Sequence, residues 1–237
     1  MSHYLTYNGE SSADYGLLVG AQKSYDVPKR DVTKYTIVGR NGDLIKDNGR
    51  FENAQIEYVL VCKNQFETMS DSISAWLKNP TTYCKLVDSH HPDYYRMALV
   101  TSAISYETGT LNRSAKATVI FECKPEKYLT LGATAKKYTA ATTVTNPTRF
   151  ASKPLLRVFG TGAGTVKIGA YTVKISTIAS SYVDIDCDIM DCFKGNTNLN
   201  STVTLSDGFP ELVSGKNELS FSGNITAVEI TGRWWTI

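Results

Sequence analysis

Charges of both signs crowd residues 40–51, Arg-Asn-Gly-Asp-Leu-Ile-Lys-Asp-Asn-Gly-Arg-Phe. Arg40, Asp43, Asp47 and Arg50 are the candidate contact residues, with Lys46 among them. A planar guanidinium suits bidentate contact with a carboxylate, which fixes register between two surfaces. Left exposed on one chain, such pairs contribute only about 0.2–1 kcal/mol each. The bland alternative is a β-meander corner whose charges are solvated. Two Asn-Gly pairs, Asn41-Gly42 and Asn48-Gly49, predict two tight type I′ reversals with a short strand at residues 43–47 between them.

Other groupings offer chemistry more weakly. His90 and His91 with Asp88 and Asp93 could suggest a metal, but adjacent histidines point in different directions and lack a zinc-protease spacing, so a surface loop is expected. Asp184, Asp186 and Asp188 alternate with apolar residues, which places them on one face of a strand, roughly 7 Å apart at each step. Calcium could use them, and the wet face of a half-buried strand is the simpler reading. Gly160-Thr161-Gly162-Ala163-Gly164-Thr165 looks like a phosphate loop, yet a strand pattern follows it where a helix N-terminus is required, so a flexible hairpin turn is expected. Trp234-Trp235 could stack on sugar, but neighbouring strand residues face opposite ways, so one is expected in the core and the other exposed or partner-covered. There is no Gly-x-Ser-x-Gly elbow, and no recognised setting holds His3, His90 or His91. No catalytic residue, no cofactor and no metal ligand is therefore assigned.

The elements that must position these residues follow from pattern. The chain has 237 residues, 42% apolar and 20% charged, which is a globular composition. A formal net charge of +2 argues against a dedicated nucleic-acid binder. No apolar run approaches the roughly 18 residues that span a bilayer, and residues 1–4 carry no leader pattern. Five cysteines without a Cys-x-x-Cys pair read as free, mostly buried thiols formed in a reducing compartment. Strands are expected at residues 4–7, 17–19, 32–38, 51–62 (the longest), 83–87, 96–105 and 114–123. One helix is expected at residues 64–77, with Asn64 as N-cap, Glu67 completing a capping box, and Phe66, Met69, Ile73, Trp76 and Leu77 as its apolar stripe. Beyond residue 132 no helix pattern remains. Short strands are expected at residues 142–144, 155–159, 165–168, 171–175, 182–189, 201–205, 218–221, 227–230 and 233–236, with turns at Gly160-Thr161-Gly162 and Ser222-Gly223. The fold class is thus mainly β: an α+β domain over residues 1–132, then a β-sandwich over residues 133–237.

Five stretches also resemble, in order, the distal tail protein (Dit) family of siphophages. They are residues 7–17 (Tyr-Asn-Gly-Glu-Ser-Ser-Ala-Asp-Tyr-Gly-Leu), Pro28-Lys29-Arg30-Asp31-Val32, Val38-Gly39-Arg40-Asn41-Gly42-Asp43-Leu44 with Asp47-Asn48-Gly49-Arg50, Phe121-Glu122-Cys123-Lys124-Pro125, and Gly232-Arg233-Trp234-Trp235-Thr236-Ile237. Gly232 stands where relatives would carry proline. The resemblance implies an N-terminal ring-forming domain and a galectin-like C-terminal sandwich. It implies a structural, non-enzymatic virion protein made in a bacterial cytoplasm: a homohexameric ring between the tail tube protein and a tail-associated hub protein, carrying receptor-binding proteins in some relatives. No membrane and no specific nucleic acid is among the implied partners. In such a ring, residues 40–50 are expected at a subunit contact or facing the lumen. The rival reading is a carbohydrate-binding module or adhesin fragment, resting on the sandwich and on Tyr94, Tyr95, Trp234 and Trp235.

Overall fold

The structure, a computed structural model, describes residues 3–20, 26–179 and 181–237. They form two compact units, residues 1–127 with Ile237 and residues 128–236.

In the first unit the strands are β1 (Leu5–Tyr7), β2 (Glu10–Ser11), β3 (Leu17–Val19), β4 (Arg30–Tyr35), β5 (Leu44–Phe51), β6 (Ala54–Cys62), β7 (Cys84–Asp88), β8 (Tyr94–Leu99), β9 (Glu107–Thr108) and β10 (Ala115–Leu129), with α1 at Phe66–Lys78. The main sheet runs β2-β1-β7-β8-β10-β6-β3, and β9 pairs with β10. β1 and β2 join through Asn8-Gly9, whose φ values of 53° and 86° are those of a type I′ turn. Alternation along β6 buries Ile56, Tyr58, Leu60 and Cys62, as the sequence pattern requires. These side chains meet Val119 and Phe121 of β10 and the α1 residues Phe66, Ile73, Trp76 and Leu77 in one core. Full burial of each such side chain stabilises by about 1.5–3 kcal/mol.

The helix start differs from expectation. Asn64 is not the cap. Gln65 precedes the helix at φ 66° and gives no side-chain cap. The backbone N–H of Phe66 instead donates to the carbonyl of Arg113, at 3.0 Å. A tertiary partner thus satisfies a donor that local capping would otherwise serve. Asn79, followed by Pro80, closes the helix as the sequence indicates.

In the second unit the strands are β11 (Lys136–Tyr138), β12 (Thr142–Asn146), β13 (Leu155–Ile168), β14 (Tyr171–Ile175), β15 (Tyr182–Asp186), β16 (Asp191–Lys194), β17 (Thr197–Asn198), β18 (Val203–Leu205), β19 (Gly215–Thr231) and β20 (Trp235–Thr236). β13 is one strand of 14 residues and β19 one of 17, not four short strands. Neither Gly160-Thr161-Gly162 nor Ser222-Gly223 is a turn; together they form a bulge, where the register slips between Phe159 and Gly164. The first half of β13 pairs with β15 and the second half with β14, while both halves pair with β19. The two long strands therefore serve two layers, which share one core containing Leu156 and Val158 from one half and Val166 and Ile168 from the other. The result is a β-sandwich-like curled sheet. Residues 51–62 are accordingly not the longest strand: β5 ends at Phe51, and β10, β13 and β19 all exceed β6.

Candidate interface element

β4 and β5 form a separate two-stranded antiparallel ribbon. Its register pairs Tyr35 with Leu44, Thr33 with Lys46 and Val32 with Asp47, then slips before Arg30 meets Phe51. Asn48-Gly49, expected as a reversal, lies in this slip, and β5 runs through it. Gly49 takes φ 74°, which glycine adopts at little steric cost, and its N–H donates to Asp47 Oδ1 at 2.9 Å. The other pair also departs from type I′, since Gly42 has positive φ and Asn41 does not. The connection instead turns at Val38-Gly39, closed by the Arg40 N–H on the Ile37 carbonyl.

The bulge sets the partners of Asp47 and Arg50. Asp47 pairs with Arg30 of β4, whose Nη1 lies 2.6 Å from Oδ2. Arg50 Nε donates to Asp31 Oδ2 at 2.6 Å, and Asn48 Nδ2 donates to the other oxygen of Asp31 at 2.8 Å. Asp43 accepts from Thr36 Oγ1 at 3.0 Å. Arg40 is exposed in the connection and forms no ion pair among the described residues. The hydrogen bonds from Asn48 and then Arg50 hold the Asp31 carboxyl below its ordinary range. The Gly49 N–H and then Arg30 do the same for Asp47. So the charges lock one strand of the ribbon to the other, and Arg30 and Asp31, adjacent in sequence, are partners that inspection of residues 40–50 alone misses.

The ribbon also carries exposed apolar side chains. Val38 is 100% exposed and Ile45 61%, with Tyr35, Ile37 and Leu44 also exposed. An isolated two-stranded ribbon is marginal in water, and clustered exposed apolar groups mark interaction surfaces. This element can therefore present an apolar tip, stiffened by cross-strand ion pairs, to another surface.

The remaining candidates resolve into structural parts. Asp88 is buried, accepts the Tyr58 hydroxyl at 2.6 Å and caps the N–H groups of His90 and His91. Burial, then the nearby Asp88 carboxylate, pushes the Tyr58 hydroxyl far above its ordinary pKa. The expected wet face at Asp184, Asp186 and Asp188 is not wet. Asp184 and Asp186 are buried, and β15 ends at Asp186 instead of reaching residue 189. Arg157 holds Asp184 through two bonds of 2.7 and 2.9 Å, and Arg233 holds Asp186 through two of 2.6 and 2.8 Å. Asp188 lies beyond the strand and donates its N–H to Asp186, so the three carboxylates do not converge. Among the described residues no group of three or more His, Cys, Asp or Glu side chains is placed to hold a metal ion. Trp234 is buried in the second core, while Trp235 stacks on Phe150 and donates Nε1–H to the Ala151 carbonyl.

No protein-family model matches the sequence. No curated protein matches it either. Solved structures do. The chain is similar to the crystal structure of the Dit protein of phage SPP1, described as a paradigm of the hub adsorption apparatus in phages infecting Gram-positive hosts, with 17% identity, a TM-score of 0.74 and coverage of 96% of this chain and 98% of that one. This chain has the Dit fold. It is also similar, at 12% identity, to a chain of the phage p2 baseplate in its activated conformation with Ca, with a TM-score of 0.52 and coverage of 97% and 96%. The p2 baseplate with Sr gives a TM-score of 0.50 at the same identity and coverage. The likeness spans both units, and among the described residues β4 and β5 contribute nothing to either core of this chain.

Proposed function

We propose that this chain is a structural protein of a phage tail tip, without enzymatic activity, and is located in the virion. The observation that carries the reading is the likeness to the SPP1 Dit protein over 96% of the chain, with 98% of that protein covered in return. In this reading the chain assembles as a homohexameric ring joining the tail tube protein to the hub protein of the baseplate, and the ring docks receptor-binding proteins. Residues 1–132 form the ring, and residues 133–237 are the galectin-like sandwich. The β4–β5 ribbon is the ring contact: its exposed Val38, Ile45, Tyr35, Ile37 and Leu44 need a cover that a neighbouring subunit would supply. A ring requires unlike patches to meet, and a projecting ribbon against a separate surface supplies such a pair. Asp43, Asp47 and Arg50 act there through ribbon stiffness and register, and Arg40 offers its guanidinium to the neighbouring subunit.

Native mass measurement of the purified chain tests this reading. A hexamer is expected, and a ribbon shortened by replacing residues 33–46 with Asn-Gly should remain folded and monomeric. A full chain that stays monomeric at high concentration and binds glycans would replace this reading with the carbohydrate-binding module.

A further inference from the structure

Three Asn-Gly pairs occur in the chain, Asn8-Gly9, Asn41-Gly42 and Asn48-Gly49. In such a pair the glycine nitrogen can attack the amide carbon of the asparagine side chain, because glycine has no Cβ to shield it. Both groups must be free to turn toward each other, and the fold grants that freedom unequally. At Asn48-Gly49 both are held. Asn48 Nδ2 donates to Asp31 Oδ1 at 2.8 Å and to Thr33 Oγ1 at 3.2 Å, while the Gly49 N–H donates to Asp47 Oδ1 at 2.9 Å. At Asn8-Gly9 the peptide is fixed by its turn. The strand pairs Thr6 with Ser11 and Tyr7 with Glu10 close that turn, and the Asn8 N–H donates to the Lys85 carbonyl at 3.1 Å. At Asn41-Gly42 neither group is held. Both residues are exposed in the connection between β4 and β5. Among the described residues no hydrogen bond engages the Asn41 side chain or the Gly42 N–H. Nothing lies within 4 Å of the place a Cβ on Gly42 would occupy.

We infer that Asn41 is a site of spontaneous deamidation, selected by the fold over Asn8 and Asn48. The Gly42 nitrogen loses its proton to base and bonds to Asn41 Cγ. The Cγ–Nδ2 bond breaks, and ammonia leaves. Water then opens the resulting succinimide. Opening at Cγ gives aspartate, and opening at the backbone carbonyl gives isoaspartate, in which the chain runs through the former side chain. Water is consumed, ammonia is released, and nothing is oxidised or reduced. Either product places a new carboxylate between Arg40 and Asp43, at the ribbon tip. A subunit in the ring is then shielded and an unassembled one ages by this reaction, a consequence that rests on the reading of the ribbon as the ring contact.

Peptide mapping by mass spectrometry, after storage of the full chain at pH 8, tests it. The Ile45→Lys chain, whose ribbon stays uncovered, is stored alongside, and wild type diluted until monomeric serves the same purpose if that variant does not fold. In either uncovered sample Asn41 should deamidate at least tenfold faster than Asn8 and Asn48, giving both aspartate and isoaspartate. The Asn41 rate should fall at pH 6, where the peptide nitrogen loses its proton less readily. In urea the three rates should converge. Asn41 reacting no faster than Asn8 or Asn48 in the folded, uncovered chain would overturn the inference, and so would a difference that persists in urea. Concentrated wild type should react more slowly at Asn41 than the uncovered samples. Equal rates there would remove the shielding, and with it the ribbon contact, while upholding Asn41 as the modified residue.

Discussion

Arg233 illustrates how one residue can be strained and still be required. It has φ 49°, a left-handed value that a non-glycine residue adopts at a cost of about 1–3 kcal/mol. In that conformation its guanidinium grips Asp186, whose side chain is 10% exposed. Burial alone would raise the Asp186 carboxyl; the bonds from Arg233 and from the Asp188 N–H outweigh it, and the group titrates below its ordinary range. The folded pKa is thus lower than the unfolded value of about 3.9. The stabilisation is therefore fully present above that pH and is lost as pH falls through the folded value. Asp186→Asn should destabilise the chain by about 3 kcal/mol at neutral pH, because it leaves a half-buried guanidinium without its charge partner, and should flatten the loss of stability below pH ~4. Urea unfolding across pH checks both effects. Arg233→Gly should cost less than Arg233→Ala by about 1 kcal/mol, since both lose the pair and only glycine removes the strain. Equal losses would mean that the backbone there is not strained.

At the scale of the element, glycines decide how the second unit closes. A Cβ on Gly160 would lie 2.3 Å from the Asn224 carbonyl oxygen, and one on Gly164 would lie 2.6 Å from Ile225 Cγ1. The first obstacle is backbone and cannot swing aside. Gly160→Ala should destabilise by about 1–3 kcal/mol, in the range of overpacked cores, and Gly164→Ala by a similar amount, because the Ser222 carbonyl oxygen, 2.8 Å from that Cβ, is also backbone. Thermal unfolding of both variants checks this. The β4–β5 ribbon obeys a different rule, because the apolar side chains of its tip are exposed. Val38→Asp and Ile45→Lys should leave circular dichroism unchanged and weaken assembly roughly tenfold or more each, from the apolar burial they forgo. Arg50→Ala should weaken assembly less, by loosening the clamp on Asp31. Unaltered assembly in all three would remove the ribbon from the interface.

For the whole molecule, thiol reactivity offers a test of packing. Cys62, Cys123, Cys187 and Cys192 are buried and Cys84 is partly exposed, with no disulfide among them. Burial pushes Cys192 up to about 11, with the Asp191 carboxylate adding to it, and burial followed by the Asp186 charge pushes Cys187 higher still. Thiolates are the reactive form. Ellman's reagent should therefore label one cysteine of the folded chain quickly at pH 8 and all five in denaturant. Fast reaction of two or more in the native state would indicate a looser core in the unit that holds the additional reactive cysteine. Assembly should persist at high salt if apolar contacts of the ribbon dominate, because screening weakens charge pairs and leaves hydrophobic contacts in place.

Sequence alone determined what depends on local pattern. Alternation identified β6 and β10, the Phe66–Leu77 stripe identified α1, the loss of helical periodicity marked the change to all-β structure, and five short motifs carried the likeness to the Dit family. Tertiary structure decided whatever depends on a distant partner. Gly160 and Gly223 read as turn residues until β13 and β19 are laid side by side, when both become contact points within continuous strands. Asp184 and Asp186 read as solvated because their arginines lie 27 and 47 residues away. Asn48-Gly49 read as a reversal because the opposing strand, which turns it into a bulge, is not part of the dipeptide. In each case the same local sequence suits two conformations, and long-range contacts supply the free energy that selects one.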